Sequence, residues 1–82
     1  MPARETVDPQ SATPVYVQVA DILRARIESG QLQPDRPVPS ETPLQQAFGV
    51  ARGTARKAIA VLREQGLVVT VMGRGSYVNP GR

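Results

Sequence analysis

Four prolines fall within ten residues, at positions 34, 37, 39 and 43 of an 82-residue chain. Proline has no amide hydrogen and a fixed φ, so it neither continues a helix nor sits in a central strand. The segment QLQPDRPVPSETP is therefore a stiff, extended connection. It divides a chain whose length allows one domain only. A domain this small buries about 60% of the surface its unfolded chain exposes, so its core must be thin. With only Tyr16, Phe48 and Tyr77 as aromatics, aliphatic packing has to dominate.

Before the prolines, Tyr16, Val19, Leu23 and Ile27 recur at helical spacing, widened by Ala20 and Ile22, with Asp21, Arg24 and Glu28 opposite. This predicts an amphipathic helix from about Pro14, with Thr13 as N-cap and Gly30 as the residue that ends it. After the prolines, Ser40 is placed to cap a second, short helix that turns Leu44, Ala47 and Phe48 inward. Glu41 lies in its first turn, against the positive end of the helix. Gly49 breaks that helix, and a third runs from about Arg52 to Gln65, with Ala55, Ala58, Ile59 and Leu62 on one face. Beyond Gly66, LVVTV and SYV flank MGRG, the pattern of a β-hairpin. The expected fold is mainly α with a small β-hairpin, a winged helix-turn-helix of three helices plus a two-stranded wing. Residues 1–13 are expected to form a flexible arm, 14–79 the folded domain and 80–82 a tail.

Charge is distributed unevenly. Residues 1–50 carry four bases and six acids, a net of −2; residues 51–82 carry six bases and one acid, a net of +5. Arg52, Arg56 and Lys57 fall within six positions, and no acid follows them before Glu64. A solvated helix ordinarily interleaves acids and bases at i,i+4 spacing. The stretch thus asks for an anionic partner from outside the chain, and nucleic acid is the usual one.

A helix-turn-helix sets the start of its second helix in the DNA major groove. Arginine is the best bidentate donor to guanine O6 and N7, and Arg52 and Arg56 stand one turn apart. Lys57, a compact charge, suits a phosphate. The Thr54 hydroxyl could reach a phosphate oxygen or pack half-buried, with equal weight on each. Gly53 would permit close approach of backbone to DNA, at a cost to the helix of about 1 kcal/mol. Gly73, Arg74 and Gly75 would form a wing tip probing the minor groove or backbone. Ser40 combines a cap with a helix N-terminus that can bind phosphate. Arg24 and Arg26 are read as solvated surface.

Other chemistry has little to stand on. There is no cysteine and no histidine, which removes disulfides, thiolate sites and the commonest metal and acid–base side chain. No catalytic residue, metal site or cofactor is expected. No apolar run approaches the roughly 20 residues of a membrane span, and MPARETVDPQSATP lacks the apolar core of a secretory signal. The default is a cytoplasmic protein that is not an enzyme.

The pieces PVYVQVADILRARIESGQLQP, VPSE, LQQAFGV, ARGTARKAI, LREQGLV and GRGSYV occur in this order. Over residues 14–78 the chain resembles the DNA-binding region of GntR-type winged-helix transcriptional regulators. The resemblance implies DNA contacts from Arg52, Thr54 and Arg56, from Ser40, and from Gly73 to Gly75. The chain departs from the family pattern at Thr42, where arginine is common, at Ala51, where Ser or Thr is usual, and at the proline before PSE. Family members normally continue into an effector-binding and dimerising domain. No such domain is in this chain, which suits either an excised domain or a minimal regulator. The partner expected is double-stranded DNA, with a possible homodimer on a two-fold operator and regulation by repression. The alternative is a winged-helix protein-interaction module without specific DNA binding. RNA ranks third, since few aromatics are present to stack unpaired bases.

Overall fold

A computed structural model describes residues 7–81. Three helices, α1 (Val15–Glu28), α2 (Glu41–Phe48) and α3 (Arg52–Glu64), precede strands β1 (Val68–Val71) and β2 (Gly75–Val78). Helix α3 is central, packing against α1, α2 and β1. The strands pair antiparallel, Val68 with Val78 through Val71 with Gly75. This is the expected winged helix-turn-helix.

The helix ends follow from local chemistry, with two corrections. Pro14 rather than Thr13 occupies the N-cap of α1, and no side chain caps it. Gln18 instead binds the segment ahead of the helix. Its side-chain amide donates to the carbonyls of Asp8 and Thr13 at 2.9 and 2.8 Å and accepts from the Asp8 N–H at 2.7 Å. Residues 8–13, expected within a flexible arm, are thus tied down on α1, and Val7 packs against the core; residues 1–6 lie outside the described residues. Ser40 does hold the N-cap position of α2, but its side chain makes no capping hydrogen bond. Helix α2 ends where Gly49 takes φ 66°, a left-handed conformation that costs glycine little, with its N–H on the Gln45 carbonyl at 2.8 Å. That reversal allows α3 to begin three residues later.

The core is a single cluster. Val19, Ala20 and Leu23 of α1 meet Leu44 and Phe48 of α2 and Ala55, Ala58, Ile59 and Leu62 of α3. Val38, Leu67, Val68 and Val78 close it from the wing side. Among the described residues no polar or charged side chain is buried. Ala47, expected inward, is exposed. In so short a helix the i,i+4 pair Leu44 and Phe48 fills the contact with α3 and leaves Ala47 on the solvent side. Tyr16 and Ile27 mark the edges of the α1 stripe and are half-buried.

The proline segment is extended, as expected, but it also pairs. Asp35 and Val38 donate to the carbonyls of Val78 and Ser76, and Val78 donates to Arg36, each at 2.9 Å. Pro37 sits opposite Tyr77 in this bridge. The three bonds use the Asp35 and Val38 amides and the Arg36 carbonyl, so the missing N–H of Pro37 costs no ladder bond, which is where an edge segment accepts proline. The wing is thereby fastened to the connection ahead of α2.

Candidate nucleic-acid interface

Three elements bring the predicted residues toward one side of the molecule. Ser40, at the start of α2, Arg56 on α3 and Gly75, at the start of β2, line a single open cleft together with Glu41 and Ser76. The α2–α3 turn positions the first two, and the Pro37–Tyr77 bridge holds the wing beside them. Arg52 joins this group through Glu41. The Arg52 Nε donates to one carboxylate oxygen of Glu41 at 2.9 Å, and the Arg56 Nε donates to the other at 3.1 Å.

This arrangement corrects the sequence reading. Arg52 and Arg56 do have an acid within the chain, eleven and fifteen residues upstream. Counting charges along one helix cannot find it, because the helix-to-helix crossing creates the pair. One signal was available: Glu41 is the only acid between Asp35 and Glu64. Both guanidiniums stay largely in solvent, with side-chain exposures of 70% for Arg52 and 63% for Arg56. Ion pairs this exposed contribute little to stability. Their consequence is geometric, because one carboxylate fixes the direction of two forked donors.

Arg52, and after it Arg56, hold the Glu41 carboxyl below the ordinary glutamate value of 4.5. A carboxylate whose folded pKa is depressed stabilises the fold at all pH above its unfolded pKa. That contribution disappears as pH falls through the folded value. The Arg pair therefore holds together at neutral pH and is released only in acid. Following the Glu41 carboxyl carbon by NMR should give a midpoint below that of free glutamate. Arg52→Ala should raise the midpoint more than Arg56→Ala does, since the Arg52 bond has the larger influence. Equal midpoints in the wild type and both variants would show that the two pairs do not form in solution.

The remaining predicted residues divide. Gly53 is exposed, and a Cβ added there would meet nothing within 4 Å, so its face is open to close approach. Gly73 and Arg74 stand exposed at the hairpin apex. Thr54 is half-buried and lines a separate apolar groove with Val7, Val15 and Val50, which favours its packing role. The Lys57 ammonium lies 5.4 Å from the centre of the Tyr16 ring, a cation–π contact that steadies it on the α1 side of α3. Arg24 pairs with Asp21 at 2.6 Å and donates to Gln65 at 3.2 Å. Arg26, read as solvated, is half-buried instead, with its guanidinium 5.8 Å over Phe48. Among the described residues no group of three His, Cys, Asp or Glu side chains is placed to hold a metal ion, and no helix is long and apolar enough to cross a membrane.

The chain is similar to several known proteins. Residues 15–78 match the family described as bacterial regulatory proteins, gntR family. The chain is 40% identical over 73 residues to the transcriptional repressor NagR of Bacillus subtilis, covering 89% of this chain and 30% of that protein. It is 42% identical over 69 residues to MngR of Escherichia coli, a mannosyl-D-glycerate transport and metabolism system repressor, covering 84% and 29%. It thus spans less than a third of the length of these curated relatives. Among solved structures, the AraR DNA-binding domain in complex with operator ORX1 superposes with a TM-score of 0.81 at 41% identity, over 90% of this chain and 94% of that one. YtrA from Sulfolobus acidocaldarius, a GntR-family transcription factor, gives 0.80 at 36% identity, over 89% and 62%.

Proposed function

The chain belongs to the GntR family of bacterial regulatory proteins, and on that premise we propose that it binds double-stranded DNA sequence-specifically and represses transcription by occluding a promoter. The observation that carries this reading is the convergence of Ser40, Arg56 and Gly75, from three elements, on one cleft flanked by Arg52. The names of the similar proteins support it, NagR and MngR as repressors and AraR as a domain bound to operator DNA.

In this reading residues 14–79 are the DNA-binding unit, preceded by the arm of residues 1–13 and followed by a tail at 80–82. Helix α3 lies in the major groove. Arg52 and Arg56 present bidentate forks to guanine edges, already oriented by Glu41. Gly53 lets the backbone come close, and Lys57 meets a phosphate. Thr54 supports the start of α3 from behind, its hydroxyl reaching at most a phosphate oxygen. At α2 the first-turn amides of Glu41 and Thr42 have no earlier helical carbonyl to bond, and with Ser40 they form a ready phosphate site. The wing places Arg74, between Gly73 and Gly75, against the minor groove or backbone. We propose with it a homodimer on a two-fold operator, whose half-sites would then stand about 34–36 Å apart. No catalysis is assigned, and the place of action is the cytoplasm, where the DNA is.

The test is selection from a random duplex pool, followed by titration of the winning site and a scrambled duplex across a salt series. A common motif should emerge. The logarithm of the binding constant should fall linearly with the logarithm of salt, with a slope of about −0.9 for each phosphate neutralised. Failure to enrich any sequence, with equal affinity for both duplexes, would refute sequence-specific regulation.

A further inference from the structure

The wing tip carries a side chain that the cation-centred reading leaves unused. Met72 is 94% exposed, and its neighbour Val71 is 38% exposed; they are the two large apolar side chains left in solvent among the described residues. Both stand at the apex beside Arg74. The turn is closed by the Arg74 N–H donating to the Val71 carbonyl at 2.9 Å. Gly73 supplies the positive φ of 78° at its third position. A turn of this kind fixes where its second residue stands, and that residue is Met72. The tip therefore offers a long, unbranched apolar side chain from a defined backbone, next to a cation.

We infer that Met72 is a specificity-determining residue that wedges against a base step in the minor groove. The inference rests on the proposed reading of the protein as a duplex binder and adds a second mode of readout to it. The occupant is argued from continuity and charge. Gly75, at the foot of the tip, lines the same cleft as Arg56 and Ser40, so a duplex against that cleft passes under the tip. Arg74 is drawn into a groove of negative potential, and Met72 must accompany it. Apolar side chains that enter the minor groove partly unstack a step, and the cost depends on the step. Pyrimidine–purine steps such as TA and CA open easily, whereas A-tracts are stiff. Met72 would thus select for deformability at a position where no hydrogen bond reads the bases.

The experiment uses the full chain and a duplex selected from a random pool, with 2-aminopurine placed singly at each step under the wing. Wild-type protein should raise the fluorescence at one step. At that step it should prefer TA or CA over AA by roughly five-fold or more, in the range of one base-pair change. Met72→Ser should abolish both the fluorescence rise and the preference while keeping the salt slope, and Met72→Leu should retain them. Because Met72 lies outside the core, circular dichroism should show all three proteins folded. Saturable, sequence-specific binding with flat fluorescence at every step, or an unchanged step preference in Met72→Ser, would overturn the wedge alone. Loss of all specific binding by the wild type would overturn the functional reading together with it.

Discussion

Leu62→Ala should remove a large part of the stability of this domain. Leu62 is fully buried in the last full turn of α3, the helix that contacts α1, α2 and β1. Its carbonyl also receives the Leu67 N–H at 3.0 Å, which starts the chain into β1. Truncating a buried leucine costs about 2–5 kcal/mol, the loss of transfer free energy plus that of an unfilled cavity. A domain of this size holds only about 4–12 kcal/mol in all. With each kcal/mol worth about 4–8 °C in a domain of 60–100 residues, the melting temperature should fall by roughly 8–40 °C. Leu62→Met, which conserves volume, should cost under about 1.5 kcal/mol. Ala47→Ser on the exposed face of α2 should leave the midpoint nearly unchanged. Thermal denaturation followed at a helix wavelength compares all three. A Leu62→Ala midpoint within a few degrees of wild type would mean that α3 is not the hub of the core.

Leu62 also shows why the fold was legible. It belongs to a stripe with Ala55, Ala58 and Ile59 whose 3.6-residue period is written in the chain, and all four are buried. The breaks were equally plain, since proline and Gly49 act on their own backbone whatever surrounds them. Interactions between elements were not legible. The pairing of Pro37 with Tyr77 depends on where the wing folds back, forty residues away. Nor does any local pattern reveal that Gln18 would tie residues 8–13 onto α1, since an amide reaching back to two carbonyls leaves no period in the sequence. The candidate interface divides along the same line. Its cations stand out as composition and its glycines as turn chemistry, whereas the pairing of those cations with Glu41, itself a lone acid in its stretch of sequence, is made only where α2 lies against α3.

Arg56→Ala should lower affinity for the selected site by about 10- to 100-fold, the range of one bidentate guanine contact at 1–3 kcal/mol. Affinity for scrambled duplex should fall much less. The difference between the two losses identifies base reading, since a phosphate anchor is missed equally by every sequence. Arg56→Lys refines the test. Lysine keeps the charge but lacks the planar fork, and it cannot reproduce the Nε bond that Arg56 gives Glu41 at 3.1 Å. It should therefore keep the salt slope of the wild type and still lose most of the preference for the selected site. Glu41→Gln provides the third arm. Removing the carboxylate leaves Arg52 and Arg56 with one more net positive charge around them, so binding to scrambled duplex should tighten. Specific binding should gain less, because two forks that were held in one direction become free to rotate and must be ordered on contact. The ratio of specific to non-specific affinity should consequently drop in Glu41→Gln although its binding to DNA as a whole strengthens. A Glu41→Gln protein with an unchanged ratio would make the carboxylate a bystander, and equal losses on both duplexes in Arg56→Ala would reduce Arg56 to a phosphate contact.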